Sequence, residues 1–223
     1  MKFIQNTSDI LLALGVEGKH RSPIKDFCID SRKVKQNSVF IGLTGSNEDG
    51  SSYCDDAFSN GAVLAIIKAK KGMSANKLKD NTLYVSNPEK VLVKLGQVAL
   101  NNFTRPVIGF TGSNGKTTTK NILSTGIKDS FSTFKNFNNE IGLPLCALML
   151  DSKNEVAVFE MGAAKKGDIH FLSKIIQPDV GVITNISYAH AKNFKSNNKT
   201  YNLGAGKAIS VLSFFESSFF TRI

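Results

Sequence analysis

The feature that most constrains this chain is the run Thr111-Gly112-Ser113-Asn114-Gly115-Lys116-Thr117-Thr118-Thr119, set between the apolar stretch Val107-Ile108-Gly109-Phe110 and a helix predicted over about 116–128. A strand that enters a glycine turn and leaves as a helix aims backbone N–H groups and the positive helix end at one spot, which suits a phosphate. Lys116 adds a point charge, and Thr117 a hydroxyl of the kind that holds Mg²⁺. Phe110 stands where the first glycine of the common phosphate loop falls, so the motif is GxxGKT rather than GxxxxGK[ST]. The plain alternative is a glycine turn that merely caps a helix.

The surrounding pattern decides the fold class. After Pro106 come strands at 107–110, near 131–134, at 156–159 and at 180–184, with helices predicted between them over 116–128, 142–150 and 168–176. Strands alternating with helices imply right-handed crossovers and a mostly parallel sheet, whose ligands lie beyond the carboxyl ends of the strands. Upstream, a helix-like 8–14 and strand-like 38–43 and 62–67 suggest a smaller α/β domain. Asn87-Pro88-Glu89 opens a further helix, with Val91, Leu95 and Val98 at helical spacing. The expected organisation is α/β throughout: a small N-terminal domain (1–86), a connecting helix (87–105), a partial phosphate-loop sheet with flanking helices (106–191) and an atypical Ser- and Phe-rich tail (192–223).

Composition narrows the function classes. Among the 223 residues no apolar run approaches the roughly 18 to 20 that a membrane-spanning helix needs, and Gln5-Asn6-Thr7-Ser8-Asp9 interrupts the N-terminus where a secretory signal would be apolar. A cytoplasmic protein with no membrane partner is the expectation. Cys28, Cys54 and Cys146 are three, with no close pair, which fits neither a disulfide framework nor a zinc knuckle and leaves buried or inert thiols. The net charge of +10 fits a solvated basic surface or attraction for phosphates. No dense basic cluster interleaved with aromatics accompanies it, so nucleic acid is not the expected partner.

Three further segments carry chemistry. Asn136-Phe137-Asn138-Asn139-Glu140-Ile141-Gly142-Leu143-Pro144 follows a strand and on its own is a polar loop leading into a helix. Val156-Ala157-Val158-Phe159-Glu160 is an apolar strand ending on a carboxylate, placed to hold Mg²⁺ or water beside the phosphate loop, or simply emerging into solvent. Val182 to His190 is again strand then loop, and its His190 lies beyond a strand end, whereas His20 and His170 have no chemical company.

In that order these segments resemble the Mur ligases. The phosphate loop is common to the whole superfamily, folylpolyglutamate synthases included. The finer likeness comes from Phe159-Glu160-Met161-Gly162-Ala163 with Gly167-Asp168-Ile169, and from Pro178 to Ile186 with Ala189-His190. These are similar to the branch that adds D-alanyl-D-alanine rather than a single amino acid. Asp30-Ser31-Arg32, Phe40-Ile41-Gly42-Leu43 with Gly45, Asp49-Gly50 and Gly61-Ala62 are similar to its uridine-nucleotide domain, and the resemblance covers about residues 25–191.

The resemblance implies an ATP-dependent, amide-bond-forming ligase that joins D-alanyl-D-alanine to UDP-N-acetylmuramoyl-tripeptide through an acyl phosphate in peptidoglycan precursor synthesis, acting as a monomer. It implies that Gly112, Ser113, Asn114, Gly115, Lys116, Thr117 and Thr118 bind ATP phosphates, and that Thr117, Glu160 and His190 serve Mg²⁺. Lys116, Glu160 and His190 are then the catalytic set, Asn138 and Asn139 face nucleotide and acceptor, and Ser31, Arg32, Thr44, Gly45 and Asn47 lie near the UDP-sugar. Two other readings stay open: a non-catalytic nucleotide- or UDP-sugar-binding fragment, and a superfamily ligase of the folylpolyglutamate synthase kind. Ser51-Ser52-Tyr53 follow Asp49-Gly50 where the family usually has an aromatic-flanked His. The likeness fades after His190, with Lys207 the nearest candidate for the lysine the family carbamylates, so a truncated or frame-shifted chain is expected.

Overall fold

The structure, a computed structural model, describes residues 1–45, 48–134 and 136–185. Along the chain run α1 (Thr7–Leu14), β1 (Asp26–Cys28), β2 (Ser38–Ile41), α2 (Cys54–Ser59), β3 (Ala62–Lys68), β4 (Lys77–Lys79), β5 (Thr82–Val85), α3 (Pro88–Asn101), β6 (Val107–Thr111), α4 (Lys116–Gly126), β7 (Ser130–Ser132), α5 (Gly142–Ala147), β8 (Val156–Glu160), α6 (Asp168–Ile176) and β9 (Val180–Ile183). They fall into two units: Met1–Thr104 with Glu140–Lys153, and Arg105–Asn139 with the chain from Asn154 onward. Mixed α/β architecture with mostly parallel strands is as the sequence predicts. Among the described residues no helix is long and apolar enough to cross a membrane.

In the first unit, β1-β2-β3-β5-β4 form one sheet, parallel except for β4, which runs antiparallel to β5. β2 is buried at every position and β3 over Leu64 to Ile67, as strands covered on both faces should be. Val34, Phe40, Ala57, Ala65 and Ile67 form a core against which Phe58 and Tyr84 pack. Asn87 Oδ1 accepts the Lys90 N–H at 2.6 Å and Pro88 takes the first turn, so α3 starts where its sequence says. Leu92, Leu95, Gly96 and Ala99 are buried along it; α3 packs against α5, where a Cβ on Gly96 would lie 2.8 Å from Pro144 Cα. The segment that carries α5 thus completes this unit, although it follows two strands of the other. Cys146 is buried, Cys28 and Cys54 are half-buried, and all three are free thiols; burial pushes Cys28 and Cys54 up, which leaves them poor nucleophiles.

The second unit holds a parallel sheet in the order β7-β8-β6-β9. Phe110, Val156 and Val158 form its core, with Leu123 and Ile127 of and just beyond α4 packed on them. β6 and β8 are the inner strands, and their register sets Phe110 opposite Glu160. That pairing brings the glycine loop after β6 and the carboxylate at the end of β8 to the same edge of the sheet, where ligands of open α/β sheets bind.

Some element bounds differ from expectation. β7 covers 130–132 rather than 131–134, because beyond Ser132 the chain leaves the strand through the Thr133 side chain. α4 ends at Gly126 rather than about 128 and α5 at Ala147 rather than about 150. β1, α2, β4 and β5 are additional, each of three to six residues and too short to display a period.

Candidate functional site

The loop between β6 and α4 is shaped by two glycines at positive φ, Gly112 at 141° and Gly115 at 81°. A Cβ at Gly112 would collide with Thr184 Oγ1 and lie 2.8 Å from Asn185 O, so the loop approaches the end of β9 as closely as only glycine permits. Thr184 Oγ1 lies 2.5 Å from Asn114 O and 3.3 Å from Thr111 O, and the Ser113 N–H donates to Asn185 O at 2.7 Å. Gly115 caps α4 without a side-chain bond, and the first intrahelical N–H is that of Thr119, bonded to Gly115 O at 2.9 Å. The N–H groups of Lys116, Thr117 and Thr118 therefore have no acceptor within the helix, the condition for receiving an anion. Lys116 Nζ donates to Gly112 O at 2.6 Å, across the loop it belongs to.

Glu160 stands beside this loop and is buried, with 5% of its surface exposed. Its Oε2 accepts from the Thr117 hydroxyl at 2.8 Å and its Oε1 from Asn138 Nδ2 at 3.2 Å, both neutral donors. Asn138 is held in turn by the Gly162 N–H, which donates to its carbonyl at 2.7 Å, and a Cβ on Gly162 would lie 2.9 Å from Asn138 Oδ1. The structure thus brings Lys116, Thr117, Asn138 and Glu160 together. Asn139 follows on the same loop and is exposed. His190, Lys207 and Asn47 lie outside the described residues.

A buried carboxylate whose partners are neutral, touching a hydroxyl at the head of a phosphate loop, is a donor set that fits Mg²⁺. That ion takes one or two carboxylates and completes its shell with phosphate oxygens and water, rather than requiring an all-protein cage. Among the described residues no cluster of three or more His, Cys, Asp or Glu side chains forms such a cage.

The residues expected near a UDP-sugar lie in the first unit. Ser31 is buried at the start of a 3₁₀ turn, and Arg32 is exposed and grips Asp30 with Nε at 2.9 Å and Nη2 at 3.0 Å. The Arg32 hydrogen bond holds the Asp30 carboxyl down at about 2. The Thr44 N–H donates to Glu89 Oε1 at 2.6 Å and Gly45 N–H to Glu48 O at 2.9 Å. A polar cavity of about 260 Å³ is lined by Thr44, Lys68, Ser86, Asn87, Pro88 and Glu89. Thr44 is the member of the expected set that lines it. Lys68 and Glu89 were not singled out in the sequence, and the signal for Glu89 was its place beside the Asn87 cap.

A parallel sheet with a GxxGKT loop at the end of one inner strand and a carboxylate at the end of the other defines an α/β phosphate-loop protein. Family models match both units: the Mur ligase family catalytic domain over residues 23–102 and the Mur ligase middle domain over residues 110–203. The chain belongs to the Mur ligase family. The middle-domain match extends past His190, beyond the motifs that carry the resemblance, to residue 203.

Among curated relatives, the UDP-N-acetylmuramoyl-tripeptide–D-alanyl-D-alanine ligase of Bacillus subtilis is 37% identical over 170 residues, 75% of this chain and 37% of that protein. Among solved structures, MurF from Acinetobacter baumannii superposes with a TM-score of 0.74 at 29% identity, covering 86% of this chain and 43% of that one. The MurF ligase from Thermotoga maritima in complex with ADP gives a TM-score of 0.64 at 38% identity, covering 74% and 38%. The chain spans about two fifths of the length of the relatives it matches.

Proposed function

We propose that this chain carries the nucleotide-phosphate site and the uridine-nucleotide side of a ligase that joins D-alanyl-D-alanine to UDP-N-acetylmuramoyl-tripeptide at the expense of ATP, in the cytoplasm. The observation that carries the reading is the Thr117–Glu160 pair at 2.8 Å beside the open N-terminus of α4. The names of the relatives support the substrate class, and the ADP bound by the Thermotoga maritima protein supports the nucleotide.

In this reading the substrate carboxylate attacks the γ-phosphate of ATP and displaces ADP, and the neutral amine of the dipeptide then attacks the acyl phosphate, forming the amide, expelling inorganic phosphate and giving up a proton. Two anions must first meet, so their repulsion has to be screened and their line of approach fixed. Lys116 turns from Gly112 O to the terminal phosphates, and the N–H groups of the first turn of α4 take the remaining oxygens. Thr117 and Glu160 hold Mg²⁺, which neutralises phosphate charge when bound. Asn138 keeps the Glu160 carboxylate oriented. Thr44, which lines the polar cavity, and with it Ser31, Arg32 and Gly45 of the same unit, receive the UDP-sugar.

Phosphate release from Mg·ATP by the 223-residue chain, with and without the UDP-muramoyl tripeptide and D-alanyl-D-alanine, tests the proposal, with binding of each followed alongside. Release that needs both substrates establishes the full activity in this chain. Binding of ADP and of the UDP-sugar without release supports the two sites and removes turnover from the proposal. Binding of neither refutes it.

A further inference from the structure

Within α4 one residue is buried, and it is a lysine: Lys120, 4% exposed. Its Nζ donates to the carbonyl of Thr133 at 2.8 Å, and among the described residues it has no carboxylate within ion-pair reach. Burying an ammonium costs several kcal/mol before any bond is made, and the side chains of Leu123 and Ile127 show that this helix packs well enough with apolar residues. What the carbonyl is attached to explains the lysine. Thr133 is 2% exposed and uses three polar atoms: its N–H donates to Val158 O at 3.1 Å, its Oγ1 accepts the Glu160 N–H at 3.2 Å, and its carbonyl takes Lys120. It is also the first residue of the loop that carries Asn138, the donor to Glu160 Oε1.

We infer that Lys120 is a positioning residue, which fixes Thr133 and through it both the backbone of Glu160 and the loop that carries Asn138. It lies three residues after Thr117 and four after Lys116, so one face of α4 presents to the end of β8 the phosphate-binding lysine, the hydroxyl beside the carboxylate and the anchor of the carboxylate's own support. Its use in holding Mg²⁺ rests on the function proposed above; the anchoring itself does not.

Two measurements on the full chain separate them. Lys120→Met keeps length and packing and removes the donor. Amide hydrogen exchange is expected to speed up about tenfold or more at Glu160 and Gly162 in this variant, while the Ala157 amide, bonded to Pro106 O at 3.0 Å in the body of the sheet, keeps its wild-type rate. Equal acceleration at all three, or at none, overturns the proposal. Should Lys120→Met not fold, Lys120→Gln, which retains an N–H donor at shorter reach, is read in the same way, with a smaller acceleration confined to Glu160 and Gly162 expected.

The second measurement titrates ADP with and without Mg²⁺. Supporting residues around metal ligands are worth about 10- to 100-fold in metal affinity, so the strengthening of ADP binding by Mg²⁺ is expected to fall about tenfold in Lys120→Met, with ADP affinity in EDTA unchanged. Selective exchange without that fall overturns the positioning role. A wild-type chain whose ADP binding ignores Mg²⁺ removes the metal site from the proposed function, and exchange alone then decides whether Lys120 is the anchor.

Discussion

Replacing Glu160 by Gln separates what this carboxylate does for the fold from what it does for a ligand. The substitution preserves volume at a position with 5% exposure. The Gln oxygen accepts from Asn138 Nδ2, and the Gln NH₂ donates to Thr117 Oγ1, which as a hydroxyl accepts as readily as it donates. Both bonds survive, but each loses charge assistance. A bond to a charged group contributes about 1.5–3 kcal/mol and a neutral one about 0.5–1.5, so the loss is about 2 kcal/mol for the pair. Against this stands the cost of keeping an ionised carboxylate out of water with only neutral partners, several kcal/mol. The variant is therefore expected to match or exceed the wild type by up to about 2 kcal/mol, and at this size each kcal/mol raises the thermal midpoint by about 2–4 °C. Ligand binding is expected to move the other way: the gain in ADP affinity on adding Mg²⁺ falls at least about tenfold, or ~1.4 kcal/mol. Thermal unfolding followed by circular dichroism and calorimetric ADP titrations with Mg²⁺ or EDTA read the two effects. A Glu160→Gln chain that is less stable by more than about 1 kcal/mol, or that keeps the wild-type response to Mg²⁺, refutes this account of the site.

Lys116→Met is expected to cost no more than about 1.5–3 kcal/mol of stability, the worth of the one charged hydrogen bond to Gly112 O that it removes, and to weaken ADP binding about tenfold or more; a melting curve and a titration check both. Gly96→Ala drives a methyl group to within 2.8 Å of the Pro144 backbone and is expected to cost about 1–3 kcal/mol, visible as a lowered thermal midpoint. The Asp30 carboxyl, lowered to about 2 by Arg32, should show that midpoint in a carbon-detected NMR titration. Because the folded value lies below the unfolded one of about 3.9, its small contribution to stability is complete above that pH and disappears as the pH falls through 2. Arg32→Ala is expected to return the Asp30 midpoint towards the usual carboxylate range, and an unchanged midpoint contradicts the pairing.

Chemistry set by neighbours in sequence was legible before the structure. GxxGKT between an apolar strand and a helix, and a glutamate closing Val156–Phe159, each announce themselves within ten residues, and both stand at the expected strand ends. Asn138 could be singled out only by family likeness, because its amide matters through Glu160, 22 residues later. Lys120, Thr133 and Thr184 were missed for the same reason: their partners are chosen by strand order, and a lysine four residues after another is ordinarily a solvated face. The β4–β5 hairpin was missed despite a local signal. Asp80 and Asn81, at φ 48° and 60°, are the residue types that tolerate a two-residue primed turn, but Lys77-Leu78-Lys79 offers too little apolar alternation to draw attention to it. Ser31 and Arg32 could likewise be singled out only by family likeness: the structure pairs the Arg32 side chain with Asp30 and the Ser31 carbonyl with Asn60, and neither residue lines the cavity beside Thr44.

The path of the chain through its two units bears on how the molecule comes into being. The polypeptide builds most of the first unit, leaves it after Thr104 to lay down β6, α4 and β7, and returns with Glu140–Lys153 before resuming the second. During synthesis α3 therefore emerges without α5, and the side of it that holds Gly96 waits until Pro144 leaves the ribosome. Neither unit matures ahead of the other in simple N-to-C order. A gene fragment ending at Thr104 would encode the whole five-stranded sheet and still lack the helix that packs on α3, whereas one extended to Lys153 would supply that helix and carry an unfinished second sheet with it.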